Sequence, residues 1–297
     1  MLIARGAHHD AIRDRGLTLR TPVEQVTLQL PVAPGPREAA LRDGDVVLLA
    51  TKSQDTAGAI AALRDGAPAG LPIVCLQNGV ENERVALRWF ADVYAVVVMS
   101  PTLHLEPGVV CAYATRTTGT IDVGRYPDGV DERCRAICAA LRESRYESEP
   151  RADIMRHKHA KLINNLGNVI DVVCGLEADA GELHQRLMEE GREVLRAAGI
   201  PHDAGEVSDA QARFDRWGVQ PIEGGPRRGS STWQSAARGG ELEIDYLNGE
   251  IVLRGRQHGV PTPLNALMAL LARQTVREGH EPGWIAPREI LQRVGAE

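Results

Sequence analysis

Val46-Val47-Leu48-Leu49-Ala50-Thr51-Lys52 opens the stretch that decides the fold. Two further runs follow, Pro72-Ile73-Val74-Cys75-Leu76 and Val93-Tyr94-Ala95-Val96-Val97-Val98-Met99. Each is short, rich in β-branched residues and almost continuously apolar, which is how a strand buried on both faces reads. The intervening segments Gln54–Leu63 and Asn82–Trp89 carry helical patterns. Strand and helix in alternation predict a parallel sheet with crossover helices. Leu103–Pro107, Val109–Ala114 and Thr120–Val123 predict an antiparallel extension, and Val130–Arg142 one more helix.

From about Arg151 the texture changes. Helical patterns run over Ile154–Val173, Gly181–Ala198, Glu243–His258 and Pro263–Glu278, and Pro221–Ser231 reads as a loop. The sequence therefore predicts an α/β domain over residues 1–150 and an all-helical domain over 151–297, with an active site in the cleft between them.

The chain has 297 residues, 43% hydrophobic and 25% charged, which are globular values. A net charge of −6, with no basic patch interleaved with aromatics, argues against nucleic acid as a partner. No apolar run approaches the ~18 residues of a membrane helix, and Met1-Leu2-Ile3-Ala4-Arg5 does not read as a signal peptide. Five scattered cysteines predict reduced thiols and a cytoplasmic protein, with Cys134 and Cys138 on one helix face instead of in a zinc site.

Of the 34 basic residues only Lys52, Lys158 and Lys161 are lysines. A lysine kept against so strong an arginine bias points to chemistry that guanidinium cannot do, because a desolvated ammonium releases its proton far more readily. Ordinary sampling is the bland alternative. In helical projection Lys161, Asn164, Asn165 and Asn168 share a face, with Lys158 one turn earlier, and Leu162, Ile163, Leu166 and Ile170 lie mostly opposite. An exposed face of this chain would carry Arg and Glu. Three asparagines beside an ammonium instead suit a small polar ligand. Gln77-Asn78-Gly79 follows the second strand, at the carboxyl end where open parallel sheets bind ligands, and Lys52 holds the same position after the first. Asn78-Gly79 is equally a common turn dipeptide. Ser231 reads either as a ligand group or as a helix cap, and Glu243 and Asp245 either as site carboxylates or as a solvated first turn.

Taken in order, Ile3-Ala4-Arg5-Gly6, Thr51-Lys52-Ser53-Gln54-Asp55-Thr56, Gln77-Asn78-Gly79, Pro107-Gly108-Val109-Val110, Lys161 with Asn165, Ser230-Ser231, Glu243-Ile244-Asp245 with Asn248-Gly249, and Pro261-Thr262-Pro263 resemble the ketopantoate reductase family over nearly the whole chain. That resemblance implies a Rossmann-like domain followed by an all-α domain, a homodimer, and NADPH-dependent reduction of a 2-oxoacid, with ketopantoate to pantoate in coenzyme A precursor synthesis as the leading case. It makes Lys161 the catalytic lysine and Asn165 the asparagine beside it. It places Asn78 near nicotinamide and substrate, Ser231 on the substrate and Glu243 at the opposite wall. Asn168 falls near a further substrate asparagine. Lys52 becomes a cofactor contact, and Arg5 the arginine that meets the 2′-phosphate and favours NADPH. The 214–225 loop is expected at the far end of the substrate.

The family begins with a strand, a glycine-rich turn and a helix ahead of the segment that matches Met1. No G-x-G spacing occurs among the 30 glycines of this chain. The resemblance thus predicts an incomplete Rossmann-like sheet whose missing central strand leaves its neighbours unpartnered. Truncation is one explanation, with Met1 inside the second strand. The other is a short paralogue that has lost cofactor binding and is non-catalytic. A reductase of a different 2-oxoacid is a third reading of the same residues.

Overall fold

The structure is a computed structural model describing residues 1–68, 70–202, 210–223, 225 and 228–295, with the backbone alone of 210 and 211. The chain forms two compact units, Met1–Met155 with Asp209–Arg227, and Arg156–Ser208 with Arg228–Glu297.

The first unit opens with β1 (Leu2–Ile3), α1 (Gly6–Arg15), β2 (Leu17–Arg20), β3 (Gln25–Leu28) and β4 (Val32–Ala33). It continues through β5 (Val47–Leu49), α2 (Thr56–Gly66), β6 (Ile73–Cys75), α3 (Asn82–Leu87), β7 (Val93–Met99), β8 (Thr102–Leu103), β9 (Val109–Ala112), β10 (Gly119–Arg125), α4 (Glu132–Glu143) and β11 (Tyr146–Glu147). Its main sheet has the order β11-β10-β7-β6-β5, with β5, β6 and β7 parallel and β10 antiparallel to β7.

Alternation along the strands explains the continuous apolar runs. Ile73, Cys75 and Val93 pack with Ile60, Leu63, Ala86 and Phe90 on one face. Val74, Tyr94 and Val96 pack with Cys134, Ile137 and Cys138 on the other. Both faces are covered by helices, so the central strands carry no polar side. Each fully buried Ile or Val there contributes about 1.5–3 kcal/mol. Asp131 starts α4 by accepting the Cys134 N–H at 2.7 Å.

The antiparallel extension is built differently from the sequence expectation. Strand β10 does extend the main sheet, but β8 and β9 join β2 and β3 in a separate sheet of order β3-β2-β9-β8. Strand β9 pairs in parallel with β2, as Thr18↔Val109 and Leu19↔Val110, a partner 91 residues earlier that no local pattern reveals. The expected strand over Leu103–Pro107 shortens to Thr102–Leu103.

Among the described residues strands β1 and β4 pair only with each other, and β5 is the edge of the main sheet. Leu48 is 49% and Val46 39% exposed, so the first run is not buried on both faces as it reads in sequence. The reason is the open edge: among the described residues no strand pairs with β5 on its outer side. A groove of about 310 Å³ lies there, lined by Ile3, Arg5, Pro34, Val47–Thr51 and the small face of α2 at Gly58, Ala59 and Ala62.

The second unit contains α5 (Ile154–Asn165, entering from the first), α6 (Ile170–Val173), α7 (Gly181–Ala197), α9 (Ser231–Ala237), α10 (Asn248–His258), α11 (Pro263–Glu278) and α12 (Pro287–Gly295). Helix α8 (Ala210–Trp217) belongs with the α/β unit. There Thr115 and Arg116 donate backbone N–H groups to Gly218 and Trp217, Gln220 donates to Tyr113, and the Trp217 side chain is 1% exposed. The sequence expectation of one helical domain from 151 onward does not contain this return. The 214–225 loop expected at the substrate is helical up to Trp217, and residue 224 lies outside the described residues.

Two expected helices are interrupted. Ile154–Val173 breaks into α5, a 3₁₀ turn over Leu166–Val169, and α6. Gly167 sits in that turn where an added Cβ would come within 2.3 Å of the His184 ring, so the residue that weakens the helix also admits a neighbour. Glu243–His258 likewise splits into a 3₁₀ turn over Glu243–Tyr246 and then α10, separated by Leu247 at φ −114°, ψ −91°. Of the 221–231 segment, residues 224, 226 and 227 lie outside the described residues.

Candidate functional site

In the α/β unit, the turns after β5 and β6 are joined by a buried polar network. Gln77 donates through Nε2 to the Thr51 carbonyl at 2.8 Å and to Thr56 Oγ1 at 2.8 Å. Thr56 donates its own hydroxyl to Asn82 Oδ1 at 2.7 Å. Asn82 Nδ2 in turn donates to Ser53 Oγ at 3.2 Å and to the Asn78 carbonyl at 2.9 Å. Gly79, at φ +77°, permits the tight turn. The network holds the half-buried Lys52 and Asn78 on one rim. Asn78 Oδ1 is buried with no hydrogen-bond partner among the described residues. Arg5 is exposed and lines the groove beside β5, next to the uncapped start of α1.

In the helical unit, Lys161, Asn165 and Asn168 are all half-buried along the α5–α6 run. The amide Nδ2 of Asn165 is buried without a partner among the described residues. A buried donor left unmade costs about 1–3 kcal/mol, which a bound acceptor would recover. Lys158, one turn earlier, is 3% exposed, so the face it occupies is not a solvated one.

The chain brings Ser230 and Ser231 against this run. Ser230 caps α9, its Oγ accepting the Trp233 N–H at 3.3 Å and donating to the Asn168 carbonyl at 3.0 Å. Its backbone N–H donates to Asp171 Oδ2 at 2.7 Å. The cap is therefore Ser230, and Ser231 is the first helical residue. Glu243 is 7% exposed, unlike Asp245, whose side chain is 60% exposed and pairs with Arg273. The solvated-turn alternative thus holds for Asp245 alone. Glu243 heads the turn before α10, and α10 is tied back by Asn248 Nδ2 donating to the Leu166 carbonyl at 3.1 Å and to Asn265 Oδ1 at 2.9 Å.

A cavity of about 330 Å³ in this unit is lined by Asn164, Asn168, Asp171 and His184 together with Gly167, Gly175 and Gly181. Burial pulls the guanidinium of Arg238, at the end of α9, below its ordinary value. No group of three His, Cys, Asp or Glu able to hold a metal occurs among the described residues.

Asn82, Asp171 and Asn265 are the residues sequence reasoning missed, while Thr56 and Asn248 stand in the quoted motifs without a role of their own. Each acts through a partner 17 or more residues away, which no local pattern reveals.

The family model described as ketopantoate reductase PanE/ApbA matches residues 1–128, and its C-terminal counterpart residues 153–276. The 2-dehydropantoate 2-reductase of Halobacterium salinarum is 30% identical over 286 residues, spanning 92% of this chain and 89% of that protein. The chain belongs to the ketopantoate reductase family. A crystal structure of a PanE/ApbA family ketopantoate reductase from Ralstonia eutropha JMP134 is 28% identical, with a TM-score of 0.76 over 93% of this chain and 90% of that one. A D-mandelate dehydrogenase solved with NADH and anilino(oxo)acetate shares the fold, at 20% identity and a TM-score of 0.77 over 93% of this chain and 90% of that one. The α/β Rossmann-like unit and the helical unit that follows are thus the architecture of ketopantoate reductases. The curated relative is an oxidoreductase by its activity. Among the described residues no helix is long and apolar enough to cross a membrane, and all five cysteines are free thiols.

Proposed function

We propose that this ketopantoate reductase relative reduces a 2-oxoacid to a 2-hydroxyacid with NADPH, ketopantoate to pantoate being the leading reaction. One observation carries the reading. Asn78 Oδ1 and Asn165 Nδ2, both singled out from sequence as ligand residues, are buried polar atoms without partners among the described residues. Buried amides are otherwise almost always paired, so Asn78 Oδ1 in the α/β unit suits a ligand donor and Asn165 Nδ2 in the helical unit suits a ligand acceptor.

NADPH, when bound, supplies the hydride. Arg5 on the rim of an apolar groove suits a phosphorylated adenosine end, and Lys52 and Asn78 would hold the rest. The groove beside β5 lies at the edge of the main sheet. A second reading of the same residues is an oxoacid-binding protein without reductase activity.

In the reductase reading, Lys161 directs its ammonium at the substrate carbonyl oxygen. It neutralises the charge that grows there and gives up the proton that completes the hydroxyl, and water then reprotonates the amine. Such general-acid assistance is worth about 10²–10⁴-fold. Asn165 donates to the same oxygen or to the carboxylate, Ser231 binds the polar end, and Asn168 supports it. Glu243, buried and acidic, orients Lys161 or accepts a substrate hydroxyl. Preference for another 2-oxoacid is set by the far end of the substrate. A second copy of the chain fits the exposed Leu253 and Leu270 on the packed pair α10 and α11, and the free thiols fit a cytoplasmic location.

The test is NADPH oxidation by the folded 297-residue protein with ketopantoate. Turnover that disappears in Lys161→Ala supports the reductase. Oxoacid binding without NADPH binding or turnover supports the second reading.

A further inference from the structure

Ser230 is gripped through both of its polar groups by one face of the α5–α6 run. Its N–H donates to Asp171 Oδ2 at 2.7 Å, and its Oγ donates to the Asn168 carbonyl at 3.0 Å. Asn168 and Asp171 are three residues apart, so the two acceptors sit side by side. The same hydroxyl accepts the Trp233 N–H at 3.3 Å, which leaves Ser230 committed to the protein. Of the serine pair, Ser231 is then the one whose hydroxyl is available to a ligand. Its place relative to Lys161 and Asn165 is set by the grip on the residue before it.

The two bonds are unequal. An amide donating to a carboxylate is charge-assisted and roughly twice as strong as a neutral pair. The Asn168 carbonyl also belongs to a short 3₁₀ turn, whose own hydrogen-bond geometry is weaker. Asp171 is half-buried in the first turn of α6 and lines the cavity of about 330 Å³. Only a residue with an acceptor at this position can meet the Ser230 amide.

We infer that Asp171 is a positioning residue for the oxoacid: through the Ser230 amide it fixes Ser231 in register with the Lys161–Asn165 helix. This inference rests on the reductase reading for its kinetic consequence, and on geometry alone for the tether.

The experiment compares wild type, Asp171→Ala and Asp171→Asn by steady-state kinetics with ketopantoate and NADPH, and by amide exchange of ¹⁵N-labelled protein at Ser230. Asp171→Ala should raise the KM for ketopantoate about tenfold, leave the KM for NADPH unchanged and keep kcat within about threefold. Asp171→Asn keeps an acceptor oxygen and should return the ketopantoate KM to within about threefold of wild type. The Ser230 amide should exchange at least about tenfold faster in the alanine variant only. An unchanged ketopantoate KM in an active Asp171→Ala enzyme, or an equal rise in both KM values, overturns the inference and leaves the reductase reading standing. Absence of turnover in wild type sinks the reductase reading instead. Ser230 exchange then decides the tether by itself, and equal protection in all three proteins overturns it.

Discussion

Thr56 donates its hydroxyl to Asn82 Oδ1 at 2.7 Å across 26 residues of sequence, and each is only 1% exposed. The bond closes a chain from Gln77 to Asn78 that fixes the two rim turns of the α/β unit against each other. A buried network is worth most when every member is satisfied, so its members respond to substitution as a group.

Asn82→Ala should therefore destabilise the protein by about 2–3 kcal/mol, since it strands the Asn78 carbonyl and the hydroxyls of Ser53 and Thr56. Asn82→Asp should be no better, because a carboxylate replaces the Nδ2 donor and faces the Asn78 carbonyl. Denaturant unfolding monitored by circular dichroism measures both. A loss under about 0.5 kcal/mol in both variants would contradict the network.

Lys161→Arg keeps the positive charge and loses the readily released proton. Under the proposed chemistry it should fall with Lys161→Ala, at least about 10²-fold below wild type in kcat, with its circular dichroism spectrum unchanged. Near wild-type turnover by the arginine variant would remove proton donation from the role of Lys161.

Gly167→Ala places a Cβ within 2.3 Å of the His184 ring, and neither the turn nor a packed ring yields that distance cheaply. A loss of about 1–3 kcal/mol is expected. His184→Ala should cancel most of that loss in the double variant, because the clash partner is gone. Additive effects in the cycle would show that the strain lies elsewhere.

The stability profile against pH should carry an alkaline limb from Tyr94 and an acid limb from Asp131. Burial, reinforced by the bond to Asp131 at 2.8 Å, pushes the Tyr94 hydroxyl up to about 12 from 10.0. The folded state thus holds that proton more tightly, and its stabilisation is complete below pH 10 and lost as pH rises towards 12. Desolvation works against the Asp131 charge, but the Cys134 N–H, the Tyr94 hydroxyl and the Arg125 guanidinium outweigh it and hold the carboxyl below its usual value. That contribution is present above the ordinary carboxylate range and lost as pH falls through the lowered value. Tyr94→Phe should flatten the alkaline limb, as read from thermal melts taken from pH 10.0 up to about 12, the range the tyrosine shift opens.

The sequence by itself determined the α/β-then-helical order, the strands at the centre of the main sheet, and a helix with one lysine among asparagines. These features are local: periodicity reports which faces are buried, and Ile73, Val74 and Cys75 point to opposite cores that both demand apolar residues. It also supplied the ordered motifs that mark the family.

Tertiary structure alone decided the rest. The pairing of β9 with β2, the return of α8 to the α/β unit, and the open edge of β5 depend on partners far away along the chain. So does the tether of the Ser230 cap, whose amide is taken by Asp171, 59 residues earlier. The local cap bond to Trp233 is within reach of sequence, but the Asp171 acceptor is placed by folding alone.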